Sequence, residues 1–121
     1  MGRGIYSALG RWPEAELPAV LATLERLCSA IDRGESDADA IVPGAGDALH
    51  AIRAFEARIG RRAGLAAERV STPHGPAIEL GNLRHAVFGE AHEDAAGVVA
   101  RTLVPILEAL GGVDVFWFTM D

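Results

Sequence analysis

Leu17, Val20, Leu21, Leu24, Leu27, Cys28 and Ile31 recur at spacings of three and four, the stripe of an amphipathic helix with one buried face. Pro13 and Pro18 both suit a first helical turn, so the helix is predicted to begin between Pro13 and Leu17. Gly34 is a natural residue to end it. A second stripe, Leu49, Ile52, Phe55 and Ile59, predicts a helix from an Asp47 N-cap to about Arg62, closed by Gly64. Arg58, Arg61 and Arg62 crowd its last turn, where positive charge complements the helix dipole. A third stripe comprises Ala95, Val98, Val99, Thr102, Leu103, Ile106, Leu107 and Leu110. Pro105 should kink that helix and Gly111-Gly112 should end it.

Shorter apolar runs with a period of two predict strands between these helices. Ile5 to Leu9, bounded by Gly4 and Gly10, is the first. Glu68 to Thr72, Ala77 to Leu80 and Leu83 to Phe88 form a predicted meander, turned at Pro73-His74-Gly75 and then at Gly81-Asn82. Gly81-Asn82 suits a two-residue type II′ turn. It would place Ile78, Leu80, Leu83, His85 and Val87 on one face, with Glu79 opposite Arg84 on the other. Val113 to Thr119 is the last strand. Apart from Asp114 it is apolar on both faces, so it should lie inside a covered sheet or meet a partner. The resulting expectation is a single α+β domain over residues 1–121, ordered β-α-α-β-β-β-α-β. Its sheet is mixed or antiparallel, with the helices mainly on one face.

Composition narrows the function more than the fold. A chain of 121 residues, half of them apolar, is one domain by size and can bury a core without staples. No apolar run approaches the roughly 18 residues of a membrane span. The start, Met1 to Tyr6, has no apolar h-region, and Tyr6 stands where myristoylation requires Ser or Thr. The single Cys28 has no internal disulfide partner. A cytoplasmic protein is therefore the default expectation. The formal charge of −6 disfavours nucleic-acid backbones and anionic membranes as partners. All eleven basic residues are Arg, which suits bidentate contacts with carboxylate or phosphate, but they spread along the chain rather than cluster, which fits the composition expected of a GC-rich, bacterial genome.

The ionisable cluster that most resembles a site is His85, Glu90, His92, Glu93 and Asp94. Two imidazoles and three carboxylates can bind a metal or share a proton. Equally, acids in a first helical turn stabilise the dipole and cap free amides, and His85 on the apolar side of a strand fits a satisfied core histidine. No spacing of H-x-x-x-H or E-x-x-H type is present, so neither a metal nor a cofactor is expected. Gly44-Ala45-Gly46 begins like a dinucleotide loop but has Leu49 at the third glycine position. Glu35 to Asp39 alternates like a calcium loop, yet Ala40 replaces its glycine and Gly46 its twelfth-position acid. Cys28 lies in a helix stripe, and no G-x-S-x-G elbow surrounds any serine.

Two readings follow. The first is a protein-binding domain presenting an acidic surface, such as an inhibitor or immunity-type protein for a basic partner such as a toxin. Glu35, Asp37, Asp39, Glu90, His92, Glu93 and Asp94 would steer the encounter, and Trp12, Trp117 and Phe118 would anchor it. The second is a small cone-type enzyme or ligand carrier. There His85 would act as general base in an apolar pocket lined by Phe116 or Trp117. A homodimer burying the exposed side of the last strand is compatible with either.

Overall fold

The computed structural model describes residues 5–34, 37–82 and 92–120. Its elements are β1 (Ile5–Arg11), a 3-10 turn (Glu14–Glu16), α1 (Leu17–Asp32), α2 (Ala38–Ile41), α3 (Ala45–Ile59), β2 (Ala66–Thr72), β3 (Gly75–Gly81), α4 (Glu93–Ala109) and β4 (Val113–Met120). The strands form one antiparallel sheet in the order β2-β3-β1-β4. The helical crossover from β1 to β2 passes over β3, and the crossover from β3 to β4 passes over β1. Two interleaved βαβ units of this kind make the split βαβ, or ferredoxin-like, topology.

Alternation along the strands decides which face the helices cover. Tyr6, Ala8, Ile78 and Leu80 point inward and are fully buried. α1 packs over β2 and β3, α4 over β1 and β4, and α3 against α4. The α1 stripe is buried as its spacing predicts, at Leu17, Val20, Leu24, Leu27, Cys28 and Ile31. Gly34 follows it with φ +70, a left-handed conformation that glycine adopts without a Cβ penalty. Ile78 and Leu80 share the inner face as expected.

Several boundaries differ from the expectation, each for a local reason. The second long helix starts at Ala45 behind a left-handed Gly44, so Asp47 lies in its first turn rather than at its N-cap. It ends at Ile59 because Gly60, φ +74, caps it before Gly64 is reached. Arg62 is therefore beyond the helix; it donates to the carbonyl of Asp32 at the end of α1. Gly81-Asn82 is not a hairpin turn. Gly81 belongs to β3, opposite both Ser7 and Ala66, and it lacks the positive φ that a II′ turn requires. A Cβ on Gly81 would lie 2.3 Å from the Tyr6 carbonyl oxygen, so this glycine serves a close backbone approach instead. Asn82 continues the pairing: its backbone N–H donates to Tyr6, and its side-chain oxygen accepts from the Tyr6 N–H at 2.7 Å. The predicted strand Leu83 to Phe88, with His85 and Arg84, lies outside the described residues.

β4 reaches Met120, one residue past its expected end, and does not take the interior position, one of the two settings expected for it. It stands at one end of the sheet as described. Opposite Gly10 its register slips, and Asp114 takes φ +51, a conformation that Asp tolerates better than most residues.

Candidate functional site

α3 and α4 lie side by side and run antiparallel, which brings Arg58 to the start of α4 and Asp47 to its later turns. Between them is an open groove of about 540 Å³, lined by apolar Ala51, Ala54, Phe55, Ala95 and Val98 with polar Asp47, His50, Arg58 and Thr102. It continues past Asp47, Val98 and Thr102 towards Gly44, Arg101 and Pro105. From Ala95 to Pro105 the trench spans about 15 Å at the helical rise.

Small side chains line the floor of this groove at Ala51, Ala54 and Ala95, and others lie beneath α4. The sheet-facing side of α4 carries Ala96, Gly97 and Ala100, all buried, against a β1 whose inward residues include Ala8 and Gly10. Short side chains on both elements let helix and sheet approach closely. That choice turns Val98 outward, where it is 50% exposed instead of facing the core as its spacing suggests. The sequence signal was available in the small residues at 96, 97 and 100; the larger valine masked it.

The acidic residues occupy several different settings. Glu93 and Asp94 stand exposed in the first turn of α4, beside the Ala95 end of the groove. His92 precedes them, and its Nδ1 accepts a hydrogen bond from Arg58 Nε at 3.3 Å. Asp47 is exposed farther along the groove. Asp37 is exposed at the start of α2, without a side-chain capping bond. Asp39 has a structural task, accepting the Gly46 N–H at 2.7 Å in the first turn of α3. Glu35, His85 and Glu90 lie outside the described residues.

The aromatic candidates separate in the same way. Trp12 is 4% exposed and donates its indole N–H to the Leu110 carbonyl at 2.9 Å, which locks the turn from α4 into β4. It offers almost no surface. Trp117 is 41% exposed on the helix side of β4, close to Gly97 and beneath the Arg101 guanidinium at 5.6 Å. Phe118, half-buried on the opposite side, has its ring 6.0 Å from that of Phe116.

A second concavity of about 560 Å³ lies on the sheet's outer side, lined by Leu9, Arg11, Thr72, Pro73, His74, Asp114 and Phe116. Its charges are turned on one another, since Arg11 pairs with Asp114 and also donates to the His74 carbonyl. Among the described residues no three of His, Cys, Asp and Glu cluster as metal ligands would. The strongest perturbations are structural. Burial pushes the Cys28 thiol up to about 12, away from reactive thiolate. Burial also drives the Tyr6 hydroxyl far upward, and it donates to Gly64 O at 2.7 Å. For Glu56, burial is outweighed by hydrogen bonds from Ala63 N–H, Arg53 and Gly64 N–H, so its carboxyl titrates below the usual range.

No family model matches the chain, and neither does any curated protein or any solved structure. No described helix is long and apolar enough to cross a membrane.

Proposed function

We propose that the chain is a protein-binding domain whose groove between α3 and α4 receives an amphipathic helix from a basic partner. The observation that carries this reading is the exposed Val98 above Ala51, Ala54 and Ala95, an apolar trench bordered by the acids Glu93, Asp94 and Asp47 and by Arg58 and Arg101. Its span suits about three turns of a docked helix, with apolar anchors entering at helical spacing. The overall charge of −6 attracts a basic partner over a distance, and the acids beside the groove orient it on arrival. An inhibitory or immunity-type role is the specific form proposed, because opposite charge gives rapid capture and buried anchors give long residence.

The test is affinity capture from the native host with the wild-type chain and with Val98→Asp. The expected result is a basic protein retained by the wild type and lost by the variant, with both chains melting at similar temperatures. Equal retention by the two would remove the groove from the reading.

A further inference from the structure

Among the described residues, the two end strands of the sheet, β2 and β4, are built differently. β2 carries Glu68 and Arg69, both exposed and on opposite faces, the usual protection against edge-to-edge pairing. β4 carries no charge from Val115 to Met120. Val113 is 54% exposed, Phe116 51%, Trp117 41% and Met120 53%. These side chains lie on both sides of the sheet, since Phe116 is opposite Leu9 on the outer side and Trp117 opposite Ala8 on the helix side. A partner stacked on the outer side alone would leave Trp117 uncovered. A strand added beside β4 flanks both sets.

We propose that a second copy of this chain pairs with β4, the two strands running antiparallel about a twofold axis so that the described sheets of both copies become continuous. Charge selects this occupant. The single charged residue of β4, Asp114, is already paired with Arg11, and the other charge at the patch is the Arg101 guanidinium over Trp117, so the patch presents no net negative charge on a chain of charge −6. Two such chains repel over most approaches, but no like charges meet from Val115 to Met120. From Val115 to Met120 a basic partner would find no carboxylate. Isologous pairing also closes on itself, leaving the charged β2 strands at the outer ends. The left-handed Asp114 bulge limits the pairing at one end of β4.

The area sets the strength. Half-exposed Phe116 and Trp117 offer on the order of 100 Å² each. With Met120 and the paired backbone, the total over two copies comes to roughly 900 Å², in the range of weak, transient interfaces. The pair should therefore be concentration-dependent, forming in the micromolar range or above.

Sedimentation velocity of the full chain from about 1 to 500 μM reads the assembly, and hydrogen exchange at both extremes reads its location. The expected result is a monomer–dimer equilibrium, with β4 amides gaining protection at high concentration and β2 amides unchanged. Phe116→Lys should weaken the dimer at least tenfold, and Met120→Lys, at the strand end, supplies the same test if Phe116→Lys melts early. Val98→Asp, on the helical groove, should leave the dimer intact. A monomer throughout, a dimer indifferent to both lysines, or open-ended oligomers would each overturn the pairing.

Discussion

Glu56 holds more of the fold together than any acid singled out by its neighbours in sequence. Its carboxylate, in a residue 8% exposed, accepts the N–H groups of Ala63 at 2.8 Å and Gly64 at 3.2 Å and pairs with Arg53 at 2.7 Å. Arg53 and Arg62 in turn donate to carbonyls at the end of α1, so a single side chain ties α3, the loop before β2 and α1 together. Glu56→Ala leaves those donors without their acceptor and should cost about 2–3 kcal/mol in denaturant unfolding. Because the native carboxyl titrates below its unfolded value, its stabilisation is fully present above the unfolded pKa, 4.5. It is lost as pH falls through the depressed native value. Wild type and Glu56→Gln should therefore differ most at neutral pH and converge in acid, and parallel curves would show that the charge contributes nothing. Cys28 gives a second residue-scale expectation: with its pKa near 12 and its side chain buried, it should resist alkylation at pH 8 until the chain unfolds.

At the scale of elements, Leu24 sits fully buried in the middle of the α1 stripe, and Leu24→Ala should lower stability by about 2–5 kcal/mol. A loss under about 1 kcal/mol would mean that this face is not the core. Gly81→Ala should cost about 3 kcal/mol for the opposite reason, since the added methyl meets the Tyr6 carbonyl and no flexible side chain can yield. The two substitutions mark what the sequence made legible. Leu24 belongs to a periodic stripe, and periodicity is local, so α1, α4 and the strands at Ile5, Glu68, Ala77 and Val113 could be read directly. Gly81 looked like a turn because glycine followed by asparagine is a turn signal. Its real cause, backbone contact with a residue 75 positions earlier, is non-local. Val98 failed similarly: its spacing matched the core stripe, but the depth of contact between α4 and β1 is set by Ala8 and Gly10 on another element. The acids at Glu93 and Asp94 were legible as a cluster, whereas the groove beside them needed α3, whose lining residues Ala51 and Ala54 carry no chemical signal of their own.

For the molecule as a whole, charge and shape make separable contributions to the proposed binding. The charge of −6 acts through the solvent and is screened beyond about 8–10 Å near physiological ionic strength. The groove acts only once the surfaces touch. The association rate with the basic partner should therefore fall steeply as salt rises, while the dissociation rate changes little. Neutralising Glu93 and Asp94 together should slow association more than it speeds dissociation, because both are exposed beside the groove rather than inside it. Val98→Asp should do the reverse, since it places a charge in the contact and leaves the distant field almost unchanged. Asp37, exposed at the start of α2, can be neutralised in the same way, but Asp39 cannot serve, because it holds the Gly46 N–H and its loss would disturb α3. Surface-plasmon kinetics at two or more salt concentrations, with melting temperatures measured alongside, separate these contributions. Salt-insensitive association would remove the electrostatic part of the reading. A Val98→Asp variant that changes association but not dissociation would show that the partner does not enter the groove.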